Sequence, residues 1–360
     1  MSSSITPFYR PGSFPALSAR LLASASQSLR QAINSQILLK SFYSTPLRVG
    51  GLPVTTTKGF TYLIAASWHP KRKRQKVPVV NSISENLWWK ERMRPGKVDA
   101  GEDAFFYVGT NNGVALGVAD GMGVDPANFS WALMESSASV AKEFSSSEIA
   151  LFSAPNGFAD ILDSKKILTG AFENLIKSGK VNAGSSTACI LSLSKSSGIL
   201  NASSLGDSAY LLIRNGELIY ESPAQQHFFN CPYQLTIVPE HFPNQKLYFK
   251  DKPSDAYQAS HQLQDGDVIL LATDGFFDNV FSYEAVAIVN KELRNVINRD
   301  RTFYDSGNLD ELRTHVKKLS RQLTDTARRF SLDSRRVSPF SQSAKKSGEN
   351  RIGGELREFL

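Results

Sequence analysis

Three times in this chain an aspartate stands at the end of an apolar run: Val118-Ala-Asp120-Gly121, Ser204-Leu-Gly-Asp207-Ser208 and Ala272-Thr-Asp274-Gly275. A fourth acidic group, Glu102-Asp103, opens the first of these runs. A strand end is a rigid place from which to present a ligand, and glycine beside the acid lets a backbone carbonyl or a water come close. Oxygen donors of this kind suit a hard divalent cation. If the strand ends converge, the carboxylates must either bind metal or raise some of their pKa values. Asp-Gly is also ordinary turn chemistry, and Asp265-Gly266, which enters a run instead of leaving one, has that duller explanation. The shared placement of the other three sets them apart.

The runs that carry the acids read as strands. Phe105–Gly109 and Val114–Ala119 flank Asn112-Gly113, and Ala209–Arg214 and Glu217–Tyr220 flank Asn215-Gly216. Asn-Gly between two apolar runs is a strong hairpin signal. Ser186–Leu193 and Ile199–Leu205 form a third pair, and residues 267–273 form an unbroken apolar run expected of a strand covered on both faces. Apolar positions three and four apart predict helices over 129–144, 158–178, 282–299 and 308–331. Hairpins plus amphipathic helices give an α+β fold, most economically two antiparallel sheets with helices on their outer faces. The tail from Ser331, rich in Ser, Arg and Lys, reads as poorly ordered or as an interrupted domain end.

The 360 residues, 41% hydrophobic and 21% charged, suffice for one large core or two modest ones. Cys189 and Cys231 match neither a disulfide framework nor a zinc spacing, which fits a reducing compartment. No run approaches the roughly 18 apolar residues of a membrane helix, Phe60–Trp68 being the nearest. The net charge of +7 is misleading: the first 84 residues hold 11 Lys or Arg and no acid, which leaves 30 basic against 34 acidic residues in the remainder. The folded body is mildly acidic and has no aromatic-basic stripe, so nucleic acid is not an expected partner. The Ser-rich, acid-free start, with arginines at 10, 20 and 30, has the composition of a mitochondrial transit peptide. We assign residues 1–45 to it, with Ser41–Ser44 as the processing region. A disordered basic tail has the same composition, and Lys71–Lys76 is also the pattern of a nuclear or polyanion-binding signal.

Taken in order, Glu102-Asp103-Ala104, Gly117–Gly121, Gly184–Ala188, Leu205–Ser208 and Ala272–Phe276 with Asp278-Asn279 resemble the motifs of the metal-dependent PP2C-type protein phosphatases. Gly184–Cys189, Gln225–Asn230 with Pro232, Gln234 and Leu235, and Ser338–Phe340 are similar to the mitochondrial branch of that family. The resemblance spans roughly residues 97–354 and implies a four-layer α/β/β/α sandwich binding two Mn2+ or Mg2+ ions. It implies that Asp120 bridges both ions, that the Gly121 carbonyl binds one, and that Glu102 and Asp274 bind the other. Asp207, with Asp274, matches the pair that holds a weaker third ion, and Asp103 would act from behind the ligands or through water. Asp120 and Asp274 are thus the principal catalytic candidates, for attack of an activated water on a phosphate monoester without a phosphoenzyme. A cysteine mechanism would need a Cys-x5-Arg loop, which neither cysteine begins.

Four positions depart from the family pattern. Met122 follows Asp-Gly where many members have a proton-donating His, which leaves a metal-bound water or His227 for that role, unless His227 is structural. Val98 replaces an arginine that meets substrate phosphate, with Lys97 as a weaker substitute lacking the bidentate fork. The segment after Gly123 is short, and Arg351–Gly354 leads into Glu355–Leu360 where the family has Asp-Asp-Ile-Thr and a last central strand.

From these features we expect a poorly structured linker over 46–95 and a C-terminally truncated phosphatase domain over 96–360 that lacks its final strand and exposes that strand's neighbour. The expected function is hydrolysis of phosphoserine and phosphothreonine on proteins of the mitochondrial matrix, reached through the import machinery. The alternative is a pseudophosphatase that binds phosphoproteins without turnover.

Overall fold

The computed structural model describes residues 32–43, 59–70, 100–110, 112–123, 125–147, 163–240, 242, 248–297 and 306–354. Hairpin β3 (Asp103–Gly109) and β4 (Gly113–Met122) lies where Asn112-Gly113 predicts it. β5 (Gly184–Ser186), β6 (Ala188–Ser194) and β7 (Ile199–Leu205) follow; Thr187 interrupts what the sequence reads as one strand, so that β5 turns to pair with the end of β4. In the next hairpin, β8 (Ala209–Arg214) and β9 (Glu217–Glu221), the turn residues Asn215 and Gly216 both take positive φ, 52° and 83°. Such a turn matches the twist of the strands it joins.

Short strands that have no readable period come next: β10 (Gln226–Phe228), β11 (Cys231–Pro232), β12 (Leu235–Ile237) and β13 (Tyr257–Gln262). β14 (Val268–Ala272) is wholly buried, as its unbroken apolar run requires. The helices are α1 (Pro126–Ser147), α2 (Ser164–Ser178), the one-turn α3 (Asp274–Phe277), α4 (Ser282–Ile297), α5 (Ser306–Ser331) and α6 (Pro339–Lys346). Asp163 caps α2 by accepting the Lys165 amide at 2.8 Å, and Gly179 ends it in the left-handed region.

The strands form two main antiparallel sheets. One runs β12-β5-β4-β6-β7-β13, with β3 also on β4; the other runs β2-β1-β14-β8-β9, where β1 is Ala32–Tyr43 and β2 is Phe60–Pro70. Alternation along the second sheet divides the core. Tyr210, Leu212, Ile269 and Leu271 face the first sheet and join the cluster that also takes in Leu116, Ile190, Phe129 and Leu168. Leu211, Ile213, Val268 and Leu270 point the other way, onto Val289 and Leu293 of α4 and Val316, Leu319 and Leu323 of α5. Helices thus cover both outer faces, giving the four layers expected.

Two expectations are corrected. Residues 60–70, read as part of a loose linker, form β2, whose Ser67 hydroxyl meets Ser320 and whose His69 meets Asp325 at 2.6 Å on α5. Residues 331–354 of the tail are ordered: Ser338 and Ser341 cap α6 reciprocally, Phe340 and Ala344 are buried, and Gly354 N–H donates to the Asp333 carbonyl. β14 is paired on both sides, with β8 and with β1. Lys97, Val98, the first 31 residues and the proposed nuclear signal lie outside the described residues.

Candidate functional site

The acids converge at one end of the two sheets. Asp103 and Asp120 are direct partners in the β3–β4 ladder, and Glu102 precedes β3 by one residue. The backbone here is held from several sides. Gly121 N–H donates to the Glu102 carbonyl at 3.1 Å, and Ser130 Oγ of α1 donates to the same carbonyl at 2.6 Å. Asp120 is pinned through its main chain: its N–H donates to Thr187 Oγ1 at 3.0 Å, while its carbonyl accepts Thr187 N–H at 3.0 Å and Ser186 Oγ at 2.8 Å. This explains the break at Thr187, whose bonds go to the acid strand and not to a continuous β5–β6 ladder.

Asp274 arrives from the second sheet, at the start of α3 directly after β14. Asp207 sits in the tight turn between β7 and β8, after Gly206. Thr273 Oγ1 donates to Asp103 Oδ2 at 2.9 Å, a buried bond that joins the strand ends of the two sheets.

Electrostatics reports how close these groups are. Burial, then the charges of Asp274, Asp103, Asp207 and Glu102, push the Asp120 carboxyl well above the usual carboxylate range. Burial and the charge of Asp274 lift Asp207 to about 8, against the bond from Gln226 and a backbone amide. Burial also raises Asp274, opposed by the Gly275 amide and by a side-chain hydrogen bond with Asp120.

The residues fit divalent cations. Every donor is a hard oxygen, the cluster is over-supplied with negative charge, and Asp207 Oδ1 is buried without a hydrogen-bond partner. A Cβ on Gly121 would strike the Pro126 carbonyl oxygen, so only glycine fits where this backbone passes beside Asp120. Among the described residues, no three His, Cys, Asp or Glu side chains are already drawn into coordinating geometry.

Of the residues singled out in the sequence, Glu102, Asp103, Asp120, Gly121, Asp207 and Asp274 come together. His227 does not face them as a free acid: it is stacked between two rings and held by Asp251 at 3.0 Å. Sequence reasoning missed the supports Thr187, Thr273, Ser130 and Gln226. Thr187, Thr273 and Gln226 stand inside the quoted motifs; Ser130 and Asp251 carry no local signal.

An antiparallel two-sheet sandwich with helices outside and an acid cluster at its strand ends is the architecture of the PP2C-type protein phosphatases. The chain matches no family model. It is 34% identical over 261 residues to the human "Protein phosphatase PTC7 homolog", covering 71% of this chain and 76% of that protein. It is likewise 34% identical over 267 residues to the Schizosaccharomyces pombe "5-azacytidine resistance protein azr1", covering 72% and 79%. The solved structure of the photosystem II phosphatase PBCP superposes with a TM-score of 0.51 at 28% identity, over 71% of this chain and 88% of that one. The chain belongs to the PTC7 family of PP2C-type protein phosphatases.

Proposed function

We propose that this protein hydrolyses phosphoserine and phosphothreonine on mitochondrial matrix proteins, using Mn2+ or Mg2+ held by Asp120, the Gly121 carbonyl, Glu102 and Asp274, with Asp207 beside Asp274. The observation that carries the reading is the meeting of Asp120 and Asp274, from different sheets, in one cluster where burial raises both carboxyls and the charges of Asp274, Asp103, Asp207 and Glu102 raise Asp120 further. When bound, divalent cations supply Lewis acidity that activates water and neutralises phosphate charge.

The chain's own groups prepare that event. Thr187 and Ser186 fix the Asp120 backbone, and Thr273 holds Asp103 turned away from open solvent. Asp103 is 1% exposed and shapes the field from behind the ligands. Strand-borne supports of this kind keep the donors in place, so little reorganisation accompanies the reaction. The mitochondrial address rests on the acid-free, arginine-spaced start of the sequence. Among the described residues no helix is long and apolar enough to cross a membrane.

The test is manganese-dependent release of phosphate from a phosphoserine peptide by the full chain. Asp120→Asn and Asp274→Asn should each lower kcat/KM by about 100-fold or more, as loss of a principal electrostatic group does. A wild-type rate no higher than that of either variant would instead identify a phosphoprotein-binding module. Import of residues 1–45 fused to a reporter tests the address: a nuclear or cytosolic signal overturns it.

A further inference from the structure

β10 and β11 form a small hairpin, closed by Phe229 and by Asn230 at φ 59°, that stands beside the acid cluster. Both of its flanks touch the site. From one flank Gln226 Nε2 donates to Asp207 Oδ2 at 3.3 Å, while the Gln225 N–H donates to the Gly206 carbonyl at 2.8 Å. From the other, Gln234 Oε1 accepts the hydroxyl of Ser185, the residue paired with Met122 directly after Gly121.

The base of the hairpin is held by His227. Its ring lies between Tyr233 (centroids 4.2 Å apart, 16° between planes) and Phe249 (3.8 Å, 14°). Nε2 donates to Asp251 Oδ2 at 3.0 Å, and the same oxygen accepts the Gln234 N–H at 2.8 Å. The two side chains are 18% and 9% exposed, so the pair is largely withdrawn from water. His227 is thus committed to Asp251 and to the two rings, and it is bonded to the carboxylate that also anchors Gln234.

We propose that His227 and Asp251 form a latch of positioning residues, which holds the hairpin so that Gln226 restrains Asp207 and Gln234 restrains the strand bearing Gly121. The inference rests on the reading of the acids as a cation site and extends it to the residues that keep the weakest ligand aimed. Partners that orient a metal ligand typically matter about 10- to 100-fold in affinity or activity.

The experiment compares His227→Phe, which keeps the ring stack and deletes the bond to Asp251, with Gln226→Leu and the double variant, all in the full chain. Manganese affinity is measured by calorimetry, and amide hydrogen exchange over 226–234 is followed in ion-free protein. Gln226→Leu should weaken the Asp207-dependent manganese step by about 10-fold. His227→Phe should weaken the same step, speed exchange across the hairpin, and add nothing in the double variant, since both act through one contact. A double variant whose losses add, or a His227→Phe protein with unchanged affinity and exchange but a lower Tm, overturns the latch and leaves His227 merely structural. If His227→Phe does not fold, Asp251→Leu with the same double-variant comparison decides. Wild-type protein that binds no manganese would defeat the cation reading, whereas hairpin exchange would still judge the latch.

Discussion

The Thr273 hydroxyl donates to the Asp103 carboxylate at 2.9 Å across the boundary between the two sheets. This bond ties the residue before Asp274 to the ladder partner of Asp120, so it sets the distance between the two principal acids. Thr273→Val keeps the shape and removes a donor from a buried carboxylate. It should cost about 1–3 kcal/mol of stability, read as a lower denaturant midpoint. Activity should fall further than stability predicts, and Thr273→Ser should restore most of both.

Gly206 has φ 98°, and a Cβ there would lie 2.6 Å from the Tyr233 carbonyl and 2.7 Å from Thr187 Cγ2. Gly206→Ala must therefore move the turn that carries Asp207. The expected result is a loss of about 1–3 kcal/mol together with weakened manganese binding. Unchanged manganese affinity in a folded Gly206→Ala protein would show that the turn does not set the position of Asp207.

Burial and the charge of Asp274 raise the Asp207 carboxyl, a shift that costs the fold stability at neutral pH and that an amide does not carry. Asp207→Asn should raise the Tm measured in chelator by about 1–4 °C, equivalent to roughly 1 kcal/mol. Manganese stabilises by binding the folded state, so the Tm gain on its addition should shrink in this variant. A variant less stable than wild type in chelator would count against strained carboxylates.

Far from the site, Glu292 of α4 accepts His315 Nδ1 and lies 2.9 Å from Lys318 Nζ, both on α5. Burial works to raise this carboxyl, but the bonds from Lys318 and His315 outweigh it and hold it below the ordinary value. A depressed carboxyl stabilises the fold above its unfolded pKa, about 4.3, and loses that contribution as pH falls through the folded value. Stability of the wild type should thus drop more steeply below about pH 5 than that of Glu292→Gln. Parallel acid limbs would remove Glu292 from the account.

How far the sequence discloses this molecule depends on how local each signal is. Asn112-Gly113 and Asn215-Gly216 locate two hairpins because the turn chemistry is carried by the two residues themselves. β14 is legible because both its faces are buried. β10 to β13 are not, since two or three paired residues have no period to read. β1 and β2 lie in a basic, acid-free stretch whose composition masks strand pairing decided by partners more than 200 residues away. α6 is anchored mainly by Phe340 and Ala344 amid Ser and Lys, too few apolar positions to announce a helix. At the site, the acids are visible through their motifs, whereas Asp251 joins His227 from 24 residues away with nothing in its neighbourhood to mark it.

β1 is bound along both of its edges. Its backbone is laced on one edge to β14, Gln36 opposite Ala272 through Lys40 opposite Val268, and on the other to β2, ending with Tyr43 opposite Phe60. Under the import proposed above, a receptor that grips residues 32–43 would have to reach them before these ladders zip closed, so that translocation and folding would compete for one stretch of polypeptide. Scission near Ser41 after folding would not by itself evict the stretch; it would convert an intramolecular strand into a bound peptide, retained only by the hydrogen bonds and packing along its two sides.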